Sequence, residues 1–228
     1  MTSHFDEKPW LRKLDEFGQT SVWLVDGTWV RKYLQKEFTN FAYWRHPLFR
    51  SVIPNDEFWI DEGSTPEEHQ LFVDHMLIEN YMMSRGYPFK KAEQEATRVE
   101  ARERHRGATV TERKLSKFTP ELRKLGQTSD IEIFLVDGKM VRDKIDPRFC
   151  HGGHDLVYEY VPDKHIWIDN TTVPHEWPYL TIHEVHERNK MNLGEKYLDA
   201  HPKCSRIEWK CRQDDQELLR QQKELGLI

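Results

Sequence analysis

The chain of 228 residues is poor in cysteine, in basic excess and in long apolar runs, and each shortage excludes something. Its three cysteines, Cys150, Cys204 and Cys211, make no C-x-x-C pair and no disulfide framework. That excludes a small disulfide-stapled scaffold and suits a reducing compartment. No stretch approaches the roughly 18 to 20 apolar residues that a membrane-spanning helix needs. The opening residues, MTSHFDEKPWLRKL, do not read as a secretory signal. The expectation is a cytoplasmic protein with no membrane partner. A net charge of -5 and a pI near 6.2 argue against general nucleic-acid binding. The one basic run, residues 98–113, is interspersed with glutamate and reads as a solvated helix and linker. What remains is enough for a core: 37% of residues are hydrophobic and eight are Trp, which excludes a wholly disordered chain.

The chain repeats itself. LRKLDEFGQTSVWLVDGTWVR (11–31) matches LRKLGQTSDIEIFLVDGKMVR (122–142), with Leu11 and Leu24 lying 111 residues before Leu122 and Leu135. Between those points Gly18 aligns with Gly126 at a spacing of 108, so two small gaps cancel. Residues 52–100 match 160–208 without a gap, at 13 identical positions of 49. This is a duplicated unit. The repeats are placed at residues 9–105 and 117–212, with a linker at 106–116 and a helical tail at 213–228.

Within a repeat the period of the apolar pattern changes once. IEIFLVDGKMVRDKI reads as two β runs turning at Asp137-Gly138, and DLVYEYVPDKHIWID as two more around Pro162-Asp163-Lys164. After Asp169 the pattern is helical, roughly 175–192 and 195–212, with a break at Gly194 and a proline, Pro202, early in the second helix. The fold class expected is α+β: two tandem repeats, each a small antiparallel sheet followed by two helices.

The first of these helices carries Leu180, His183, Glu187 and Met191 at spacings of three, four and four, one face of a helix. The first repeat has Phe72, His75, Glu79 and Met83 there. A His and a Glu bracketed by apolar residues must be hydrogen-bonded, ion-paired or metal-bound if that face is buried. The second helix brings Cys204 and Cys211 on its apolar stripe, read as small core residues, with His201 and Glu208 beside it. The first repeat matches Glu208 with Glu100 and replaces His201 by Glu93. Glu184, the residue after the first His, corresponds to Met76, so only the second repeat has the carboxylate that would activate a metal-bound water.

The run His183-Glu184-Val185-His186-Glu187 differs from H-E-x-x-H by a glutamate at the second histidine. On these residues the second repeat resembles a zincin metallopeptidase core. It is also similar to uncharacterised bacterial and phage domains reading V-D-G, G-G-H, W-I-D and H-E-x-H-E. The matching residues are Val136-Asp137-Gly138, Gly152-Gly153-His154, Trp167-Ile168-Asp169 and the run from His183 to Glu187. The resemblance implies a zincin-like metal-dependent hydrolase acting on a peptide or protein. Glu184 would be its base, and His183, Glu187, Glu208 and His201 would hold a divalent metal. Zinc is expected, with manganese or iron also compatible with a carboxylate in place of a histidine. His186, Asp169 and His154 would stand behind the ligands, and His75, Glu79, Glu93 and Glu100 would form a degenerate metal frame in a non-catalytic first repeat. A rival class is a non-catalytic tandem binding module whose His/Glu pairs are structural or hold structural metal. The oligomeric state is open.

Overall fold

Two Val-Asp-Gly steps decide the topology. Asp26 and Asp137 do not turn hairpins; each caps a short helix, Asp26 Oδ1 accepting from the Trp29 N–H at 2.8 Å and Asp137 Oδ1 from the Met140 N–H at 2.8 Å. A computed structural model describes residues 9–107 and 119–228. Its first unit runs β1 (Trp10–Phe17), β2 (Thr20–Val25), α1 (Gly27–Tyr33), β3 (Phe41–Tyr43), β4 (Glu57–Asp61), α2 (His69–Ser84) and α3 (Phe89–Gly107). Its second runs β5 (Glu121–Gln127), β6 (Glu132–Val136), α4 (Gly138–Lys144), β7 (Gly152–His154), β8 (His165–Asp169), α5 (Trp177–Asn192), α6 (Tyr197–Gln213) and α7 (Asp215–Glu224). The architecture is α+β, two four-stranded sheets each followed by helices.

The strand orders are β1-β2-β4-β3 and β5-β6-β8-β7. Hairpins join β1 to β2 and β5 to β6, one strand earlier than the Asp-Gly steps suggest. Because α1 and α4 then carry the chain onward, β2 runs parallel to β4 and β6 to β8; the other pairings are antiparallel. The turn at Pro162-Asp163-Lys164 is present, with Lys164 at φ 60°, matched by Asp56 at φ 61°. The residues before it, 156–160, are not a strand; the short strand lies earlier, at Gly152–His154.

Each sheet is buried on both faces, so its central strands alternate between two cores. In the first unit Phe58 and Ile60 meet Phe72, Val73 and Met76 of α2, while Trp59 meets Val30, Phe38 and Phe49 on the other side. In the second, Ile166 and Ile168 meet Leu180 and Val185 of α5, while Trp167 meets Val141, Phe149 and Val161. Leu225 and Leu227, after α7, pack on the α5-side core, so the tail completes the second unit.

The Val-Asp-Gly and Trp-Ile-Asp motifs turn out to be one structural device. Arg31 of α1 pairs with Asp61 at the end of β4, and Arg142 of α4 with Asp169 at the end of β8; all four are buried. Gly27 and Gly138 admit those carboxylates, since a Cβ there would stand 2.0 Å from Asp61 Oδ2 and 1.9 Å from Asp169 Oδ1. Asp169 Oδ1 also accepts from the Thr171 N–H at 2.8 Å. Asp169, expected behind the metal ligands, therefore serves the helix-to-sheet junction.

Strand register keeps the repeats 111 residues apart through β3 and β7, and 108 apart from β4 and β8 onward. Lys13 and Lys124, and Asp15 and Gly126, hold equivalent places in the hairpins, so Gly18 and Gly126 are not counterparts. The chain divides into two compact units after Glu100, inside α3. Residues 108–118, with most of the expected linker and the end of the basic run, lie outside the described residues.

Candidate metal centre

The site is assembled where edge strand β7 meets α5 and α6. Strand alternation sends Gly152 and His154 to the α5 face and Gly153 to the other. Helical spacing puts His183 and Glu187 on one face of α5, with Glu184 beside them, and α6 returns His201 and Glu208 alongside. Gly194, at φ 94°, makes the turn between the two helices possible. A buried pair fixes the loop after β7: Arg188 Nε and Nη2 donate to Asp155 at 2.6 and 2.9 Å.

Three donors converge on one point. His183 Nε2 lies 3.2 Å from His201 Nδ1 and 3.4 Å from Glu187 Oε2, and His201 Nδ1 lies 2.7 Å from that oxygen. Tetrahedral ligands at about 2.0–2.1 Å from a zinc ion stand about 3.3 Å apart, so the set is close to ligand spacing. On its other oxygen, Oε1, Glu187 meets His154 Nε2 at 3.2 Å. Among the described residues, His183-Glu187-His201 and His154-Glu184-Glu187 are groups able to hold a metal ion.

Glu208 is placed differently from the expectation. Its Oε2 accepts from Nδ1 of His183 at 2.8 Å, the ring nitrogen pointing away from the convergence point. Its Oε1 accepts from Arg212 Nη2 and Nε at 2.7 and 3.1 Å, and Arg212 Nη1 donates to the fully buried Glu176 at 2.7 Å. This chain of charges holds a proton on Nδ1 and leaves Nε2, beside Glu187, as the ring nitrogen that would face an ion, the role a carboxylate plays behind a metal-ligating histidine. Burial raises the Glu208 carboxyl, but His183 and Arg212 more than offset it and hold it down at about 2. His186 also departs from expectation: its Nε2 meets Gln221 Oε1 of α7 at 2.6 Å, away from the cluster.

The electrostatics are those of a crowded, dry site. Burial pushes Glu184 up to about 7, aided by the charge of Glu187 and opposed by His183. Burial also raises Glu187, yet hydrogen bonds from His154, His183 and His201 hold it far below the usual carboxylate range. Burial lowers His183, but Glu187 and Glu208 carry it well above an ordinary imidazole. His201, with 31% of its side chain exposed, faces solvent, and Tyr197 stacks on its ring at 5.1 Å.

The first unit shares part of this arrangement and differs in the rest. His75 is held between Glu100 (Nδ1, 2.7 Å) and Glu79 (Nε2, 3.1 Å), so the histidine and its two carboxylates persist. Glu93, at the place of His201, is exposed. Tyr43 stands for His154, Met76 for Glu184 and Phe41 for Gly152. Phe41 stacks on Phe72 at 4.8 Å and lies 5.1 Å from the His75 ring, filling the space that Gly152 leaves open. In the second unit a Cβ at Gly152 would sit 3.2 Å from Glu184 Oε1. Glycine in the strand and glutamate on the helix go together, as do phenylalanine and methionine.

No known protein family, curated protein or solved structure matches the chain. The reading of the metal site therefore rests on the geometry.

Arg212 and Glu176 behind Glu208, and the Asp155–Arg188 clamp, were not among the residues expected at the site. A signal existed for the first two, since Glu68 and Arg104 stand 108 residues before Glu176 and Arg212. None existed for the clamp, whose counterparts are Trp44 and Asn80.

Proposed function

We propose that the second unit is a divalent-metal-dependent hydrolase and the first a non-catalytic copy. The observation that carries this is the convergence of His183 Nε2, His201 Nδ1 and Glu187 Oε2, with His183 locked from behind by Glu208. A divalent ion there supplies Lewis-acid polarisation of a water or a carbonyl. Glu184, buried beside the ligands, would supply the proton acceptor. Glu187 remains an anion and a ligand, so the two carboxylates divide the roles. Zinc fits the tetrahedral spacing, and the mixed nitrogen and oxygen donors also suit manganese or iron. A peptide or protein is the substrate class suggested by the likeness of the His183-Glu184 helix to zincins. No helix among the described residues is long and apolar enough to cross a membrane.

The test is digestion of a mixed peptide library by protein carrying one equivalent of zinc, read by mass spectrometry. Cleavage lost in Glu184→Gln, with that one equivalent still bound, is the expected result. A non-catalytic binding module is the second reading, favoured by the retention of His75, Glu79 and Glu100 in a unit without the base. Absence of cleavage by wild type and variant alike would leave that second reading standing.

A further inference from the structure

We infer that the site takes two divalent cations, bridged by Glu187; the inference rests on the metal-binding reading above and extends it. Glu187 is shared by two groups of ligand atoms, each lying within 4.8 Å of one another: His183, Glu187 and His201, and His154, Glu184 and Glu187. The groups meet only at Glu187, whose two oxygens have different histidine neighbours. Oε2 faces His183 and His201, at 3.4 and 2.7 Å, while Oε1 faces His154 at 3.2 Å. A carboxylate presenting one oxygen to each of two ligand sets has the geometry of a bridge between ions a few ångströms apart.

The second position is built rather than incidental. His154 is fully buried, and Leu156 N–H donates to its Nδ1 at 3.2 Å, which makes Nδ1 an acceptor. In that hydrogen bond Nε2 donates to Glu187, and an ion at the second position would take the same nitrogen as a ligand, its proton released to solvent. Gly152 opens room for Glu184, and the Asp155–Arg188 clamp holds the loop that carries His154. The first unit replaces both added donors together, with Tyr43 and Met76, while keeping Glu79. Filling the second position recruits Glu184 as a ligand and withdraws it as a proton acceptor, so the one-ion and two-ion forms differ in chemistry.

The experiment is zinc content after equilibrium dialysis of the chelator-stripped full chain against zinc alone, with circular dichroism confirming the fold of each variant. Two zinc ions per chain are expected, falling to one in His154→Ala and in the isosteric Glu184→Gln, and also to one in His201→Ala. One ion per chain in wild type, unchanged in His154→Ala, overturns the second cation and leaves the single-metal reading intact. Two ions retained in both His154→Ala and Glu184→Gln would place the extra zinc elsewhere and overturn it equally. No zinc in any form overturns both readings.

Discussion

Replacing Glu208 by glutamine separates a group that holds a ligand from a ligand itself. In the wild type one carboxylate oxygen accepts from His183 Nδ1 at 2.8 Å and the other from Arg212 at 2.7 and 3.1 Å. A glutamine keeps one accepting oxygen, and its amide nitrogen only donates. If the oxygen stays with Arg212, the amide faces His183 Nδ1, which then accepts, moving the imidazole proton to Nε2 and covering the lone pair aimed at the ion. Loss of such an orienting carboxylate lowers metal affinity about 10- to 100-fold, or about 1.4–2.7 kcal/mol. Removing a true ligand costs far more. The measurement is zinc competition against a chromophoric chelator, with thermal unfolding of the metal-free protein recorded alongside. An unchanged affinity would refute the tautomer argument, and a loss beyond roughly 1,000-fold would return Glu208 to the ligand set.

Three further outcomes follow from the same geometry. Gly138→Ala drives a Cβ to 1.9 Å from Asp169 Oδ1 and displaces one partner of the buried Arg142–Asp169 pair, so the loss of unfolding free energy in urea is expected to reach about 3–5 kcal/mol; a loss under about 1 kcal/mol would show that the junction adapts. Gly152→Ala, with Cβ 3.0 Å from the Trp167 carbonyl and 3.2 Å from Glu184, is expected to lower hydrolysis more than stability, and equal activity in the two proteins contradicts the pairing of Gly152 with Glu184. In the first unit, burial lowers His75 but Glu100 and Glu79 raise it to about 9, from 6.5. The charged form therefore stabilises the fold below about pH 6.5, and that contribution, at most about 3 kcal/mol, is lost as pH rises through 9. An imidazole NMR signal absent in His75→Gln and titrating below pH 7 in the wild type would contradict it.

How much of this was legible in the sequence depends on the range of the interaction. The duplication, the α+β class and the His/Glu face of α5 were readable, because periodicity and internal identity are local properties of the chain. The His183-Glu187 pairing follows from helical spacing alone. Which nitrogen of His183 each carboxylate meets was settled by packing alone. Glu208 and Glu187 are both glutamates on apolar-faced helices, and nothing in their spacing distinguishes the one behind the ring from the one before it. The Asp-Gly steps misled for a related reason: Asp-Gly is favourable both in a hairpin turn and at a helix start. The choice was made by Asp61 and Asp169, distant in sequence, whose buried carboxylates occupy the space that Gly27 and Gly138 vacate. His154, too, entered the cluster through strand pairing, since β7 is placed beside β8 by hydrogen bonds that no local pattern encodes. Local order along the chain sets the periodicity, the repeat and the residue types available for metal binding. The three-dimensional packing determined which of them face one another, because register, tautomer and desolvation are set by neighbours far along the chain.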